Sequence, residues 1–435
     1  MSKCIKPSVL LVSIDAVGFD LALNPEQHGI RLPNLQRFLT EGAYSECGVN
    51  PIFPSLTYCC HQSIITGTHP ATHGTYANKY FDPTGRYADA WYWYASSEVP
   101  TLWSMAKQQG YLSVNVGFPT GVLADMDLNI PEIWRDTTQL DSKLLSAVSL
   151  PQGLAREAEE QVGRIRCGLW DITDDATKLE TCLWMLDEKI KPRLEQQPFF
   201  MTTYFAAYDD IAHHVGTFGR EALQYLEKTD EYLGILVDKA MELTGGNLVI
   251  CVISDHGMTD NVCDIRPNTV FFQNDYLSID EKGKISDWKV YAQRGGGAAN
   301  IQLKDKSDHG LREGVYQLLK DLKQKYPELI DEVMTGEQAK EQRRGYAEAD
   351  FVLTTKIGVE VREEWDGDFL QKIPSQKAQH GYHEHLKDMR SMFLIQGPGI
   401  AKGRKLGNFS IVDIAPSLAG IMGFEMETSE GKNVL

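Results

Sequence analysis

The stretch that decides the fold is NLVICVISDHGM, residues 247–258, in which a run of apolar and β-branched residues ends abruptly in Asp255 and His256. A continuous apolar run of this length is typical of a strand buried on both faces of a parallel sheet. The same pattern, an apolar run followed by acids, occurs in VLLVSID (9–15) and PFFMTTYFAAYDD (198–210). The three runs therefore predict three buried strands with carboxylates at their ends.

Amphipathic segments alternate with apolar runs along the rest of the chain. The pattern predicts helices at residues 32–41, 175–190 and 220–244, and further strands in YLSVNVG (111–117) and MFLIQGPG (392–399). Such an alternation predicts an α/β fold, a doubly wound and mostly parallel sheet flanked by helices, in which ligands collect at the carboxyl ends of the strands.

The pattern changes between residues 260 and 378. Short strand candidates surround a predicted helix at 310–325, and Gly295, Gly296 and Gly297 predict a bend. We therefore expect an α/β catalytic core made of residues 1–259 and 379–435, and a smaller α+β cap insert at 260–378.

Composition limits the function classes. The chain has 435 residues and a formal net charge of −17, which argues against a nucleic acid duplex or an anionic membrane as the main partner. An acidic protein that binds anions must concentrate positive charge locally, and metal ions do so compactly. The charge is thus compatible with a metal-dependent enzyme for small anionic substrates.

Cysteine spacing and the N-terminal sequence bear on the compartment. The eight cysteines show no C-x-x-C spacing, so we expect reduced thiols rather than a zinc ribbon or a redox motif. VLLVSID reaches an acid early and lacks a small-residue cleavage pattern, so it is predicted to be a strand and not a signal peptide. No apolar run approaches membrane-spanning length. The expectation is a cytoplasmic protein without a membrane partner, and the oligomeric state stays open.

A hydroxyl at a predicted helix start is the first candidate for chemistry. In PIFPSLTYCCHQSIITGTHPATHG (51–74), Pro54 precedes a run with apolar residues at helical spacing, and Thr57 lies at its beginning. The unpaired N–H groups of a first helical turn attract anions such as phosphate. A threonine at such a position is by itself more often an N-cap than a nucleophile, so the rest of the chain must decide.

The acids and histidines at the strand ends form two candidate metal sites. Asp209 and His213 have i, i+4 spacing, which places both on one face of a helix, and His380 would complete a zinc-like set with an open position. His383 is the alternative third ligand. The second candidate set combines Asp15, Asp255, His256 and the oxygen of Thr57. Two divalent ions about 3.5–4 Å apart can stabilise the attacking and leaving oxygens of a phosphoryl displacement.

Charge favours one substrate class. Two divalent cations against three carboxylates leave one positive charge, and an ionised Thr57 would cancel it. A phosphodiester monoanion therefore suits the site, whereas a monoester dianion needs another nearby cation, for which Lys79 is a candidate. Tyr80, Phe81, Trp91 and Trp93 could stack a nucleobase or simply pack a loop.

These residues lie in motifs that resemble the alkaline phosphatase superfamily, and within it the nucleotide pyrophosphatase/phosphodiesterase and phosphonoacetate hydrolase branches. The resemblance rests on VSIDAVGFD, PIFPSLT with TGTHPATHG, Asn78, YDDIAHHVG, VISDHGM, HGYHEHLKDMRSMFLIQGPG and VDIAPSLAGIMG. It extends from about residue 8 to about residue 425 and is interrupted by the insert.

The resemblance implies a two-Zn²⁺ hydrolase, with other divalent metals possible, that forms a phosphothreonine at Thr57. The implied ligands are Asp209, His213 and His380 for one ion, and Asp15, Thr57, Asp255 and His256 for the other. The side chain of Asn78 and the backbone amide of Tyr58 are implied donors to a phosphoryl oxygen. The expected partner is a small-molecule phosphate or phosphonate ester, above all a phosphodiester or nucleotide pyrophosphate.

Alternatives and departures accompany this interpretation. Phosphonoacetate hydrolase, which cleaves a C–P bond, and a phosphomonoesterase stay open, whereas a non-catalytic binding protein is disfavoured because every ligand and the nucleophile are present.

The chain has Tyr58, Cys59 and Cys60 where the phosphodiesterase branch has Phe-Pro-Asn, Ala16 where a glycine is common, and Ala212 where a glycine is usual. The remaining histidines are expected to be non-ligands: His69 and His73 structural or near the site, His214 turned away, and His28, His61 and His309 solvated or locally bonded.

Overall fold

The chain was analysed as a computed structural model, which describes residues 6–87, 90–134, 142–165, 174–345 and 348–435. The strands of this part of the chain are, in order, β1 (Ser8–Ile14), β2 (Ala43–Tyr44), β3 (Leu112–Val116), β4 (Leu128–Ile130), β5 (Phe199–Phe205), β6 (Leu248–Ile253), β7 (Thr259–Asp260), β8 (Cys263–Ile265), β9 (Leu277–Ile279), β10 (Ile285–Trp288), β11 (Val290–Arg294), β12 (Ala298–Leu303), β13 (Ile330–Thr335), β14 (Phe351–Thr355), β15 (Val359–Val361), β16 (Leu370–Gln371), β17 (Ala378–Gln379), β18 (Phe393–Gln396) and β19 (Arg404–Lys405).

The helices of the same residues are α1 (Phe19–Leu23), α2 (Pro33–Glu41), α3 (Thr57–Thr66), α4 (Pro70–His73), α5 (Leu102–Gln108), α6 (Ser142–Val148), α7 (Leu154–Val162), α8 (Asp174–Trp184), α9 (Ala207–Val215), α10 (Arg220–Thr244), α11 (Pro267–Gln273), α12 (His309–Lys325), α13 (Gly336–Arg343) and α14 (Ile414–Met422). A π-helical segment, Met185–Ile190, continues α8, and short 3₁₀ turns occur at Pro25–His28, Lys191–Arg193, Lys387–Met389 and Ile411–Asp413.

The three acid-terminated runs of the sequence form three adjacent strands of one sheet. The eight-stranded sheet has the order β19-β2-β18-β6-β1-β5-β3-β4, and β6, β1, β5, β3 and β4 run parallel. β18 pairs antiparallel with β6 and with β2. The predicted doubly wound, mostly parallel α/β sheet flanked by helices is therefore confirmed.

Both faces of the sheet are covered, as its continuous apolar runs require. In β1, Leu10 and Val12 belong to a core with α2, α8, α9 and α10, whereas Val9 and Leu11 belong to a second core with α3, α5 and α14. All four side chains are fully buried. Because each such burial stabilises the fold by roughly 1.5–3 kcal/mol, the two cores fix the register of the central strands. The register in turn fixes where the strands end.

The segment between β7 and β17 builds its own sheets and core. An antiparallel sheet of order β11-β12-β14-β13 packs on α12, and a smaller sheet has the order β15-β8-β16. The chain leaves the large sheet region at β7 and returns at β17, and these two strands pair with each other. The expected cap insert, 260–378, covers this segment, and its limits stay a prediction.

A glycine bend joins this segment to the large sheet region. Gly296 has φ +67°, and a Cβ there would lie 2.1 Å from the carbonyl oxygen of His380. The N–H of Gly297 donates a hydrogen bond to the same oxygen, with an N···O distance of 2.9 Å. A Cβ on Gly297 would meet the ring of Tyr382 at 2.1 Å. The bend predicted at 295–297 therefore lets two backbones touch beside His380, which requires glycine.

The six cysteines that the structure describes are free thiols, five of them buried. Cys4 and Cys167 lie outside the described residues.

Replacing Gly296 by alanine tests the backbone contact. Gly296→Ala should lower the free energy of unfolding by about 1–2 kcal/mol for the positive φ and by about 1–3 kcal/mol more for overpacking against the carbonyl of His380. Gly283→Ala is the matched control, because Gly283 has φ +76° but open space around its Cβ position. Chemical denaturation measures both. Equal losses in the two variants would contradict the contact.

Candidate active site

The carboxyl ends of β6, β1 and β5 bring three carboxylates together. Asp15 directly follows β1, Asp255 lies two residues after the end of β6, and Asp209 lies in the first turn of α9, which begins two residues after β5. The ligand atoms of Asp209, His213 and His380 lie within 4.8 Å of one another, and so do those of Asp15, Asp255 and His256. The two groups that the sequence proposed are therefore assembled in space.

The first group has its imidazoles aimed at Asp209. The Nε2 atom of His213 lies 3.3 Å from Oδ2 of Asp209, and the Nε2 atom of His380 lies 3.9 Å from Oδ1. The Nδ1 atoms bond to backbone carbonyls, that of Ala378 at 2.7 Å and that of Ser55 at 2.8 Å. Such second contacts orient a ligating imidazole with Nε2 free for a cation.

The alternative ligand, His383, lies elsewhere. Its Nε2 atom is 3.2 Å from Glu332 and 3.0 Å from Arg343, both in the segment between β7 and β17, and not beside Asp209. Of the two histidines that the sequence left open, the structure places His380 in the cluster.

The second group surrounds His256. Its Nε2 atom lies 3.1 Å from Oδ2 of Asp255, 3.7 Å from Oδ1 of Asp15 and 3.4 Å from the hydroxyl oxygen of Thr57. Adjacent side chains diverge in a strand, but the chain leaves the strand at residue 254, and Asp255 and His256 converge. The ring of His256 stacks on that of His380 at 3.8 Å, so the two groups are neighbours.

The electrostatics of these groups are those of a site that could hold cations. In these two groups, three buried carboxylate oxygens accept no well-aligned hydrogen bond, although Nε2 of His256 lies 3.1 Å from the last of them: Oδ1 of Asp15, Oδ1 of Asp209 and Oδ2 of Asp255. Burial and the neighbouring charge of Asp255 raise the pKa of Asp15 well above its ordinary value. Unpaired buried acceptors are destabilising, and oxygen and imidazole nitrogen are the donor types that Zn²⁺ and similar ions take. The residues present fit two divalent cations.

Thr57 occupies the first turn of α3 and is not its N-cap. The N-cap residue is Leu56, and Thr57 begins the helix itself. Its hydroxyl faces His256 at 3.4 Å, and the residue is only 8% exposed. The helix start therefore directs its N–H groups and one alcohol at the same place.

Asn78 is held by the backbone beside the candidate nucleophile. Its Oδ1 atom accepts a hydrogen bond from the N–H of Tyr58 at 3.0 Å. Asn78 and the Tyr58 amide were expected to be two separate donors to a phosphoryl oxygen, but here the amide is used to orient Asn78. The Nδ2 group of Asn78 is the donor that this arrangement leaves for a substrate.

His61 and Tyr204 belong to the site but were missed by sequence reasoning. His61 is fully buried, bonds through Nδ1 to the carbonyl of Thr57 at 2.8 Å and through Nε2 to Ser13 at 2.9 Å, and lies 3.5 Å from Asp255. Of the two expectations for His61, the solvated one was wrong and the locally bonded one holds for Thr57, but the contacts with Ser13 and Asp255 were not expected. The hydroxyl of Tyr204 donates to Asp15. The i+4 spacing of His61 from Thr57 was the available signal.

Five other histidines belong to neither of the two acid–histidine groups and make contacts elsewhere. His73 is buried and bonds to Ser63 at 2.9 Å, and His69 bonds to Glu430 at 2.5 Å. His28 stacks on Phe218, His214 bonds through Nδ1 to the carbonyl of Asp210 at 2.8 Å, and His309 begins α12.

Ala16 explains one departure from the family motif. Its φ is +59°, a conformation that favours glycine, and its N–H donates to Oδ1 of Asp255 at 3.3 Å. The left-handed turn after Asp15 is thus needed to link the ends of β1 and β6, and alanine adopts it here.

A cavity of about 560 Å³ opens onto Thr57, Asp15, Asp209, His213 and His380. Its wall further includes aromatic, polar and cap side chains: Tyr58, Asn78, Lys79, Tyr80, Trp91, Glu132, Trp134, Arg294 and Arg362.

The four aromatic residues of the loop at 80–93 differ in position, and whether any of them stacks a nucleobase stays a prediction. Tyr80 and Trp91 line the cavity, whereas Phe81 packs against Trp288 of β10 and Trp93 donates through Nε1 to the carbonyl of Trp134. Two of the four rings can therefore meet a ligand.

The fold and the site together are those of the alkaline phosphatase superfamily. The chain belongs to the type I phosphodiesterase / nucleotide pyrophosphatase family, whose model matches residues 9–383. It is thus a hydrolase of the phosphodiesterase and nucleotide pyrophosphatase class. The expected closeness to phosphonoacetate hydrolase stays a prediction.

Individual relatives are distant but extensive. Bis(5'-adenosyl)-triphosphatase ENPP4 of Pongo abelii is 25% identical over 99% of this chain and 81% of its own length. Ectonucleotide pyrophosphatase/phosphodiesterase family member 1 of Homo sapiens is 23% identical over 98% of this chain, which spans only 41% of that protein.

A solved structure shares the fold. Murine ectonucleotide pyrophosphatase/phosphodiesterase 5 matches with a TM-score of 0.68 at 19% identity, covering 98% of this chain and 97% of that chain. An inactive form of the murine protein, solved in complex with AMP, matches with a TM-score of 0.67 at 18% identity and covers 98% of each chain.

Within the described ranges, no helix combines the length and apolar character needed to cross a membrane. Where the protein resides in the cell stays a prediction.

Metal content can be measured directly. Protein stripped with a chelator and reloaded with Zn²⁺ should gain thermal stability, because the cations bind the folded state and relieve repulsion among the three carboxylates. Elemental analysis should give two ions per chain for the native sequence and about one for Asp209→Ala.

Asp210→Ala provides the control, since Asp210 is the next residue on α9 and belongs to neither group. It should retain two ions. Loss of an ion from Asp210→Ala but not from Asp209→Ala would contradict the assignment of Asp209.

Proposed function

We propose that this protein hydrolyses phosphodiester or nucleotide pyrophosphate bonds with two Zn²⁺ ions and with Thr57 as the nucleophile. The observation that carries the proposal is the convergence of two acid–histidine groups beside one buried alcohol. Three unpartnered carboxylate oxygens and a threonine hydroxyl 3.4 Å from His256 support it. Other divalent metals would satisfy the same donor atoms.

The residues that would hold the ions follow from the two groups. Asp209, His213 and His380 would hold one, and Asp15, Thr57, Asp255 and His256 the other. When bound, such ions supply positive charge that stabilises the attacking and leaving oxygens of a phosphoryl transfer. His61 and Tyr204 would position this set, because they contact Asp255 and Asp15 from the buried side.

Thr57 would form a covalent intermediate. Its Oγ1 atom would form a bond to phosphorus while the bond from phosphorus to the leaving oxygen breaks on the opposite side. The departing group leaves as an alcohol or a phosphate, and water then cleaves the phosphothreonine ester to release the phosphate product. The first turn of α3 and the amide of Asn78, oriented by Tyr58, would hold the phosphoryl oxygens throughout.

Charge in the cavity supports a diester over a monoester. Two divalent cations, three carboxylates and an ionised Thr57 leave no excess charge, which suits a monoanion. The arginines of the cavity wall do not supply the additional cation: Arg294 lies 2.6 Å from Glu360, and Arg362 lies 3.2 Å from Glu360 and 3.0 Å from Glu364. Lys79 lies 5.0 Å from the ring of Trp91, on the aromatic side of the cavity.

The relatives support a nucleotide substrate. One is a bis(5'-adenosyl)-triphosphatase, and one structural neighbour was solved with AMP. We further propose that the segment 260–378 acts as a cap, since Arg294, Gly295 and Gly296 line the same cavity as Thr57.

A substrate panel tests the reaction class. Zinc-loaded protein should cleave bis-p-nitrophenyl phosphate and the p-nitrophenyl ester of thymidine monophosphate at least about tenfold better, in kcat/KM, than p-nitrophenyl phosphate. The monoester carries one more negative charge that the site does not compensate, and a tenfold ratio corresponds to about 1.4 kcal/mol. Phosphonoacetate as the best substrate would instead identify a phosphonoacetate hydrolase, and p-nitrophenyl phosphate a monoesterase.

Thr57→Ala tests the nucleophile. Removing the attacking oxygen should lower kcat by about a thousandfold or more, whereas Thr57→Ser, which keeps a hydroxyl, should retain a larger part of the activity. Acid quenching during turnover of a ³²P-labelled diester should trap label on the native chain and none on Thr57→Ala. Full turnover by Thr57→Ala would refute the covalent mechanism.

A further inference from the structure

Asn78, the proposed donor to the phosphoryl oxygen, lies in a short antiparallel ribbon made of residues 78–80 and 90–92. Backbone hydrogen bonds of 3.0 and 3.1 Å join the two segments on either side of Lys79, which faces Trp91. In an antiparallel pair that the bonds flank in this way, the N–H and C=O groups of the facing residues point away from the partner strand. The carbonyl of Lys79 therefore lies on the outer edge of the ribbon, where it can accept a bond from another part of the chain.

A glutamine of the segment between β7 and β17 supplies that bond. The Nε2 group of Gln293, in β11, donates to the carbonyl of Lys79 at 2.8 Å, and both residues line the cavity onto which Thr57 opens. Gln293 is 4% exposed, and its Oε1 atom is buried without a hydrogen-bond partner among the described residues. Because a buried unpaired acceptor is destabilising, packing alone does not account for a glutamine here. Its contribution is the donor to Lys79.

The ribbon also packs on the apolar core of the same segment. The ring of Phe81 lies 5.2 Å from that of Trp288 and 5.8 Å from that of Tyr291, both in edge-to-face geometry. Phe81 packs against the core that contains β11, β12 and α12. The two residues between Asn78 and Phe81 are exposed. One polar and one aromatic contact thus fix the chain that follows Asn78 to β10 and β11.

Asn78 is therefore held from two sides of the cavity. On the side of the large sheet, its Oδ1 atom accepts a hydrogen bond from the N–H of Tyr58. On the other side, the carbonyl of the next residue in the chain is held by Gln293. A misplacement of about 1 Å in a catalytic group can lower a rate by roughly a hundredfold. The direction of the Asn78 amide thus depends on where β11 holds the ribbon.

We propose that Gln293 is a positioning residue, which directs the Asn78 amide at the phosphoryl oxygen by holding the carbonyl of Lys79, with Phe81 as a second anchor. The inference rests on the proposed phosphoryl transfer at Thr57 and gives the segment 260–378 a part in the rate of that step. Gln293 acts only through its neighbours, since its Nε2 group is already bonded and its Oε1 atom is buried.

A double-mutant cycle with Asn78→Ala tests the coupling. Gln293→Met keeps the length of the side chain but removes the donor, and it should lower kcat for bis-p-nitrophenyl phosphate about three- to tenfold, the range of one hydrogen bond. KM should change by less than about twofold, because a donor to the phosphoryl oxygen acts mainly in the transition state. In the Asn78→Ala background, the same substitution should change kcat by less than about twofold.

Equal losses of kcat in the two backgrounds would overturn the inference, because a residue that only supports the fold acts whether or not Asn78 is present. Gln396→Met is the matched control. Gln396 lies in β18, is 8% exposed and also has a buried Oε1 atom without a partner in the described part of the chain, but it is not among the residues described as lining the cavity. A loss of kcat in Gln396→Met as large as that in Gln293→Met would equally overturn the inference.

Amide hydrogen exchange tests the positioning without turnover. The N–H groups of Tyr80 and Tyr92 form the two bonds of the ribbon. Peptides that contain them should exchange at least about threefold faster in Gln293→Met than in the native chain, because the ribbon loses an anchor, and should exchange at the native rate in Gln396→Met. Unchanged exchange in Gln293→Met would contradict the proposed role.

These measurements separate this inference from the proposed function. If the native chain hydrolyses no diester, the proposed function fails, while faster exchange in Gln293→Met leaves the positioning of the ribbon standing. Hydrolysis by the native chain without coupling between Gln293 and Asn78 does the reverse. If Gln293→Met does not fold, Phe81→Leu should lower kcat about two- to fivefold and lose this effect in the Asn78→Ala background. An unchanged kcat in Phe81→Leu would then count against the inference.

Discussion

The rest of the structure depends on the repulsion among three carboxylates at the ends of β6, β1 and β5. Parallel strands that are neighbours in a sheet end at the same edge, so acids that follow them cannot avoid one another. Asp15, Asp209 and Asp255 are all placed in this way, and one oxygen of each has no hydrogen-bond partner. The proposed cations would compensate this buried negative charge, and they would thereby connect the sheet to the chemistry.

The surrounding residues hold this unfavourable arrangement in place. His213 and His380 are fixed through Nδ1 by backbone carbonyls, and His61 and Tyr204 support Asp255 and Asp15 from below. The large apolar cores on both sides of the sheet provide the stability against which this strain is balanced. The site is therefore a property of the whole sheet and not of one loop.

The cap segment reaches the same site through backbone contacts. The glycine bend touches the carbonyl of His380, and β7 and β17 pair where the segment begins and ends. Residues on both sides of this junction line one cavity. The cavity thus has one wall around Tyr58 and Trp91 and another around Arg294, and Thr57 lies between residues of both segments in its lining.

Sequence by itself determined the sheet and the identity of the clustered residues, because hydrophobic periodicity is local and each acid lies within four residues of a strand end. It also placed Thr57 at a helix start, since Pro54 and the spacing of apolar residues mark that start. It failed for His61, whose contacts with Ser13 and Asp255 join residues far apart in the chain. It likewise treated the Tyr58 amide as a substrate donor, although Asn78 takes it. Only the tertiary structure decided between His380 and His383 and joined Gln293 to the carbonyl of Lys79, because those choices depend on which groups meet after the sheet and the cap have packed.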